Sequence, residues 1–224
     1  MQKITTILFD FDGTLMDTNA IIIESWKHTF KEMNVRERSI EEITKTLGEP
    51  LTFTMGKLFP EADIPKAIET YRDFHRDTFV ENVELFDGMK ELVVALKERG
   101  YKLGIVTSRK SWSTTKGLEK FGLDKYFDVV ITADDTEKHK PDPEPVYIAL
   151  EKLGSKAEES IIIGDTRFDI LCAKNAGLKS VLVDWSIALP KEERIGENTP
   201  DYIIYEANEL LALLNGIVPY RKER

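Results

Sequence analysis

The sequence has little cysteine, no long apolar run and no excess of positive charge. Cys172 is the single cysteine among 224 residues, so no disulfide can form within the chain. No stretch approaches the roughly 20 apolar residues that span a bilayer. The net charge of −9 argues against non-specific nucleic-acid binding and against docking on an anionic membrane. We therefore expect a cytoplasmic protein whose partners include neither nucleic acid nor membrane.

Short apolar runs, rich in β-branched residues and without polar alternation, recur along the chain. This pattern is typical of strands buried on both faces of a parallel sheet. Helical segments separate the runs, and this alternation predicts an α/β fold with a doubly wound parallel sheet. The runs are Ile4–Phe9, Leu103–Val106, Val129–Ile131, Ile161–Ile163 and Val181–Val183.

The interval between the first two runs shows only helical patterning, so no strand is predicted between Phe9 and Leu103. Ser39 and Glu42 within it form the sequence signature of a capping box. Roughly 65 residues of helix are too many for a crossover connection between neighbouring strands. We therefore expect an all-helical cap domain of residues 17–83, inserted into a catalytic core of residues 1–16 and 84–224.

Polar side chains follow four of the predicted strands. In open α/β sheets, sites lie beyond the carboxyl ends of the strands, so these side chains are expected to converge. Carboxylates are hard oxygen ligands that suit Mg²⁺, whereas a hydroxyl and a lysine suit phosphoryl oxygens. Together they predict a magnesium-dependent phosphoryl-transfer site. The residues are Asp10, Asp12, Thr107, Ser108, Lys140, Asp165 and Asp169.

Four motifs, Asp10-x-Asp12-Gly13-Thr14, Thr107, Lys140 and Gly164-Asp165-x-x-x-Asp169, follow one another in this order. In this combination the chain resembles the haloacid-dehalogenase-type phosphatases, whose first type of cap is also a helical insert after the first strand. The segments Ile4–Asp10, Leu103–Thr107 and Lys140–Val146 are similar to those of the bacterial inorganic pyrophosphatases linked to HPr phosphorylation, which are relatives of the phosphoglycolate phosphatases.

The resemblance implies a role for each catalytic residue. Asp10 is expected to attack phosphorus and form an aspartyl-phosphate. Asp12 is expected to protonate the leaving oxygen and then to accept a proton from the hydrolytic water. Thr107 and Lys140 are expected to bind the phosphoryl oxygens, with the backbone N–H of Ser108 as a further contact.

The resemblance also implies Mg²⁺ as the cofactor. Its expected ligands are a carboxylate oxygen of Asp10, the backbone carbonyl of Asp12, the carboxylate of Asp165, and Asp169 either directly or through water. For Asp169 there is an alternative, because an acidic residue at this position can stabilise a helix N-terminus.

For several residues the sequence leaves two roles open. The cap turn with Gly48 and Glu49 either selects the leaving group, as the matching loop of the family does, or simply connects two helices. An acid at Glu49 is unfavourable beside an anionic substrate unless a cation lies between them. Arg109 and Lys110 either face the phosphate or open the following helix. His75 is expected to be a solvated or core histidine.

The expected function is magnesium-dependent hydrolysis of inorganic pyrophosphate or of a small phosphate monoester, by a monomer or weak homodimer. A phosphoglycolate or sugar-phosphate phosphatase is the alternative within this chemistry. Asp12 argues against a dehalogenase, and Ile22 occupies the place of the cap histidine of a phosphosugar mutase. A phosphate-binding regulatory protein without turnover is the alternative from another class.

Overall fold

The computed structural model describes residues 3–59 and 63–216. Within these ranges, six parallel strands form one sheet in the spatial order β5-β4-β1-β6-β7-β8, and β2 and β3 form a separate antiparallel pair. In chain order the strands are β1 (Thr6–Phe9), β2 (Met16–Asp17), β3 (Glu84–Leu85), β4 (Lys102–Val106), β5 (Val129–Ile131), β6 (Ser160–Gly164), β7 (Lys179–Val183) and β8 (Tyr202–Ile204).

Helices separate the strands of the sheet and make up most of the interval between β1 and β4, as predicted. In the part of the chain that the structure describes, no helix has the length and apolar content needed to cross a membrane. The helices are α1 (Asn19–Glu32), α2 (Ile40–Thr44), α3 (Leu51–Leu58), α4 (Ile64–Asn82), α5 (Met89–Glu98), α6 (Ser111–Phe121), α7 (Glu144–Leu153), α8 (Arg167–Ala176) and α9 (Glu209–Leu214).

The six-stranded sheet is covered by helices on both faces. Alternate residues of a strand point to opposite faces, so Ile7 and Phe9 join the apolar cluster formed with α5, α6 and α9. Leu8 points the other way and joins the cluster formed with α7 and α8. Both faces of the strands are therefore apolar, which explains why their sequences lack polar alternation. The predicted doubly wound α/β fold is confirmed.

Helices α1 to α4 form the inserted helical cap, and they have an apolar core of their own. Trp26 and Phe30 from α1 pack there with Met55, Phe59 and Tyr71. Strand β2 leads from the core into the cap, and β3 leads from the cap back into the core. The predicted domain boundaries stay a prediction, and the outer ends of the predicted core, residues 1–2 and 217–224, lie outside the described residues.

The prediction of no strand between Phe9 and Leu103 is wrong. Strands β2 and β3 lie in this interval and pair with each other, Met16 opposite Leu85 and Asp17 opposite Glu84. Each has only two residues, which is too short to produce a periodic pattern in the sequence. Strand β8 was not predicted either.

Candidate active site

The site lies where the order of the strands reverses. From β1 the chain moves outward through β4 to β5, and it then returns to β6 on the other side of β1. Such a reversal opens a crevice at the carboxyl ends of the two central strands. Asp10 follows β1 directly, and its N–H still donates to the carbonyl of Ile163 in β6 at 2.8 Å. Asp165 follows β6, so the two predicted carboxylates enter the same crevice.

Lys140 lies between two of the buried carboxylates. Its Nζ is 2.9 Å from Oδ1 of Asp10 and 2.6 Å from Oδ1 of Asp169. Asp10, Asp165 and Asp169 each place a carboxylate oxygen within 4.8 Å of the others. All four side chains are buried, although they come from three separate segments of the chain. The structure thus brings together the residues that the sequence predicted would converge.

Burial and mutual repulsion make this cluster electrostatically unfavourable without a further cation. Burial raises the pKa of Asp10 to about 7 against the attraction of Lys140, and the charges of Asp169 and Asp12 add to the rise. Burial also raises the pKa of Asp165 well above its usual value, and Asp169 and Asp10 raise it further. Burial opposes the charge on Lys140, but Asp10 and Asp169 outweigh it and raise the pKa of the ammonium. Lys140 therefore stays cationic beside more than one carboxylate.

The donor set fits Mg²⁺. Oδ2 of Asp165 accepts a hydrogen bond from the hydroxyl of Ser186 at 2.5 Å. Oδ1 of Asp165 is buried and has no hydrogen-bond partner among the described residues. A buried carboxylate oxygen without a partner is costly, and oxygen ligands are those that Mg²⁺ prefers. Asp165 and the nearby Asp10 are thus the residues best placed to hold the ion.

Asp169 has a second role. Its Oδ2 accepts hydrogen bonds from the N–H of Thr166 at 3.0 Å and from the Thr166 hydroxyl at 2.6 Å, and this capping box begins α8. The helix-capping alternative for Asp169 is therefore confirmed. Because its Oδ1 binds Lys140, both oxygens of Asp169 already have partners. Metal binding by Asp169 stays a prediction.

Asp12 is paired with Arg109, a contact that sequence reasoning missed. Nε of Arg109 lies 3.0 and 2.9 Å from the two carboxylate oxygens of Asp12, and Nη2 lies 2.6 Å from Oδ1. Burial would raise the pKa of Asp12, but the charge and hydrogen bonds of Arg109 outweigh it and lower the pKa. Lys110 directly precedes α6 and pairs with Asp134 at 2.5 Å, and it also lines the cavity, so both of its alternative roles stay predictions.

His75 on α4 of the cap contacts the same arginine. Its Nε2 is 2.9 Å from Nη1 of Arg109, and its Nδ1 is 3.1 Å from the hydroxyl of Ser25 on α1. Burial lowers the pKa of His75 to about 3, and the charge of Arg109 lowers it in the same direction. His75 is thus a buried, neutral histidine, one of the two environments that the sequence allowed. No sequence signal links it to Arg109, which is 34 residues away on another element.

Thr107 and Ser108 follow β4 at the wall of the same cavity. The N–H of Thr107 donates to the carbonyl of Ile131 at 3.0 Å, and its hydroxyl accepts from the N–H of Arg109 at 3.2 Å. The hydroxyl of Ser108 is buried without a partner in the described ranges. Both residues line a cavity of about 620 Å³ together with Asp10 and Lys140.

The cap turn at Gly48 and Glu49 closes the other side of this cavity. A Cβ at Gly48 would lie 2.9 Å from side-chain carbons of Thr166 and Phe168, so the turn packs directly on the core. Oε1 of Glu49 is 2.7 Å from Nζ of Lys57 and 3.4 Å from Nη2 of Arg167. These two cations compensate the negative charge of Glu49, and selection of the leaving group by Gly48 and Glu49 stays a prediction.

Comparison with known proteins agrees with this geometry. The sequence profile of the haloacid dehalogenase-like hydrolases matches residues 7–183. The chain is 39% identical over 213 residues to pyrophosphatase PpaX of Halalkalibacterium halodurans, which covers 95% of the chain and 98% of the relative. Among solved structures, a haloacid dehalogenase-like family hydrolase from Streptococcus pneumoniae has a TM-score of 0.85 at 27% identity, covering 95% of this chain and 99% of that one.

A second solved structure lies at a similar distance. A protein from Lactobacillus plantarum, assigned provisionally as a phosphoglycolate phosphatase, has a TM-score of 0.85 at 25% identity and covers 95% of this chain and 100% of its own. The family profile spans most of the chain, and the relative at 39% identity spans nearly all of it. The chain therefore belongs to the haloacid dehalogenase-like hydrolase family.

Proposed function

We propose that this chain is a Mg²⁺-dependent phosphohydrolase that works through an aspartyl-phosphate on Asp10. The observation that best supports the proposal is the contact of Asp10 with Lys140 at 2.9 Å, beside the unpartnered oxygen of Asp165. A nucleophilic carboxylate, a fixed cation and a place for a metal thus meet at one point. When bound at Asp10 and Asp165, Mg²⁺ neutralises charge on the phosphoryl oxygens.

The residues of the chain divide the two chemical steps between them. An oxygen of Asp10 attacks phosphorus, and the bond from phosphorus to the leaving oxygen breaks as the new bond forms. Asp12 gives its proton to the leaving oxygen, and it then accepts a proton from the water that hydrolyses the aspartyl-phosphate. Arg109 lowers the pKa of Asp12 and so favours its ionised form, which is the form required in the second step. In the first step, the negative charge of the entering substrate favours protonation of Asp12.

Inorganic pyrophosphate is the proposed substrate, with a small phosphate monoester such as phosphoglycolate or a sugar phosphate as the alternative. The name of the Halalkalibacterium relative supports pyrophosphate, and the provisional assignment of the Lactobacillus protein supports the monoester. The cavity wall carries cations beyond Lys140, among them Arg72 together with Arg76 and Lys110, which pair with Asp73 and Asp134. Such a wall suits a leaving group that is itself an anion.

The proposal is tested by phosphate release from pyrophosphate, phosphoglycolate, a sugar phosphate and p-nitrophenyl phosphate, with Mg²⁺ and with a chelator. We expect release that depends on Mg²⁺, and no measurable turnover or phosphorylated protein for Asp10→Asn. Asp124→Asn is the matched control, because Asp124 is an exposed carboxylate outside the cavity. Turnover in Asp10→Asn would contradict the mechanism. No metal-dependent release from any substrate would favour a phosphate-binding regulatory protein.

A further inference from the structure

The proton-transferring Asp12 is held by residues that have no assigned role. We propose that Arg109 and His75 are positioning residues for Asp12, through which cap helix α4 aims the carboxylate at the leaving oxygen. The inference rests on the proposed function, because it concerns how the acid of that reaction is oriented. Neither residue needs to touch the substrate for this role.

The hydrogen bonds from Arg109 into the cap have one consistent direction. A guanidinium only donates, so Nε2 of His75 accepts from Nη1 of Arg109. The neutral ring then carries its proton on Nδ1 and donates it to the hydroxyl of Ser25 at 3.1 Å. Ser25 in turn donates to the carbonyl of Ile21 at 2.6 Å. This series of hydrogen bonds ends at a backbone carbonyl of α1. The cap therefore fixes the orientation of the imidazole and, through it, of the guanidinium.

Arg109 and Asp12 form a two-pronged ion pair that restrains the carboxylate. Two of its nitrogens, Nε and Nη2, bind the carboxylate, and a planar fork of this kind fixes the orientation as well as the position of its partner. The guanidinium carbon lies 4.5 Å from the ring centre of Phe79 and 5.5 Å from that of Phe11, which restrains its plane further.

Exposure shows which member of the pair can meet a substrate. The side chain of Arg109 is 7% exposed, whereas that of Asp12 is 28% exposed. Both side chains line the cavity, but Asp12 presents more of its surface to it than Arg109 does. A carboxylate has about four acceptor positions, so the donors of Arg109 leave room for a proton and a leaving oxygen on the cavity side. This arrangement favours positioning over direct substrate binding.

The dependence of kcat/KM on the leaving group tests this role, because loss of a purely structural residue would lower kcat/KM equally for all leaving groups. The phenolate released from p-nitrophenyl phosphate needs little protonation, whereas the alcohol released from ethyl phosphate needs a well-placed acid. The constant kcat/KM reports only steps up to phosphoryl transfer to Asp10, so later hydrolysis of the intermediate does not affect it. Asp12→Asn lacks the acid and provides the reference. Its kcat/KM must fall much more with ethyl phosphate than with p-nitrophenyl phosphate.

We expect the same signature in Arg109→Met, with kcat/KM for ethyl phosphate falling at least about tenfold more than for p-nitrophenyl phosphate. His75→Leu should show a smaller effect of the same kind. His75→Gln should retain most of the kcat/KM for ethyl phosphate that His75→Leu loses, because the glutamine carbonyl can accept a hydrogen bond from Arg109. Lys116→Met is the control, since Lys116 is a cation at the surface of α6 that pairs with Glu119. Circular dichroism and thermal unfolding identify any variant that does not fold.

Two outcomes overturn the inference. Equal losses with both substrates in Arg109→Met and His75→Leu would leave these residues a structural role only. A loss confined to pyrophosphate, without a loss for ethyl phosphate, would make Arg109 a ligand of the anionic leaving group instead. Either result can occur while Asp12→Asn still loses more kcat/KM with ethyl phosphate than with p-nitrophenyl phosphate. Failure of the positioning role is therefore distinguishable from failure of the proposed function.

Discussion

At the scale of single residues, the carboxylate of Asp165 leaves no space for a side chain at position 13. Gly13 has a φ of 69°, in the left-handed region, and a Cβ built on it would lie 1.9 Å from Oδ2 of Asp165. The N–H of Gly13 donates to the carbonyl of Met16 at 2.9 Å, which fixes the turn after β1. The glycine therefore serves both the turn and the place proposed for the metal.

Gly13→Ala should abolish Mg²⁺-dependent turnover, because the new methyl group displaces Asp165. The left-handed backbone adds a stability cost of about 1–2 kcal/mol. Gly122→Ala is the matched control, since its φ is 66° and nothing lies within 4 Å of a Cβ there. Activity assays and chemical denaturation of both variants check this. Similar stability losses with activity lost only in Gly13→Ala are expected, and normal turnover in Gly13→Ala would contradict the role given to Asp165.

Several residues of the site could be predicted because they directly follow a buried strand. Asp10 and Asp165 are examples, since the carboxyl ends of parallel strands meet at one edge. The partners of these residues could not be predicted. Ser186 reaches Asp165 from 21 residues away, and His75 reaches Arg109 from the cap. Such contacts depend on how helices and loops pack over the sheet, which no local pattern in the sequence records.

At the scale of elements, the helices and the strands with an uninterrupted apolar run could be predicted, whereas β2, β3 and β8 could not. Strand β6 consists of buried residues throughout, so its sequence is distinctive. Strands β2 and β3 form only because the chain enters and leaves the cap at adjacent points, a tertiary cause. The turn between α2 and α3 also acquires its position from tertiary packing, because Gly48 lies against Thr166 and Phe168 of the core.

Gly48→Ala should push this turn away from the core and lower kcat/KM by about 10- to 100-fold, since small displacements of groups around a substrate are costly. Gly48 has a φ of 83°, and Gly100 has a φ of 82° with nothing within 4 Å of a Cβ. Gly100→Ala therefore carries the same backbone cost without the collision. Steady-state kinetics of the two variants separate the effects, and equal kcat/KM values would show that the turn does not shape the cavity.

At the scale of the whole molecule, the buried carboxylates link stability to pH and to metal. The pKa of Asp10 rises from 3.8 to about 7 on folding, so the protonated carboxyl is favoured in the native state. Its contribution to stability is present below about pH 4 and is lost as the pH rises through about 7. Without metal, the protein at pH 8 carries ionised carboxylates in a buried site, whereas at pH 6 protons compete with any bound ion.

Mg²⁺ should therefore raise the melting temperature more at pH 8 than at pH 6. Differential scanning fluorimetry with and without Mg²⁺, with NaCl added to equal ionic strength, measures the difference. In Asp10→Asn the pH dependence of the Mg²⁺ effect should become smaller, because the substituted side chain no longer titrates. A shift that is equal at both pH values, or larger at pH 6, would contradict the assignment of Asp10 and Asp165 as the metal site.

The pairing of β2 with β3 has a consequence for how this architecture can diversify. Met16 lies opposite Leu85 and Asp17 opposite Glu84, so the inserted segment leaves the core and returns to it at one point. The entropy cost of closing an insert across this fixed pair grows only slowly with the length of the insert. The material between the two strands can thus be exchanged as one contiguous block while Asp10, Lys140 and Asp165 keep their places. An exchanged block would still have to supply an acceptor for Arg109 in place of His75, because the proposed positioning of Asp12 depends on that contact.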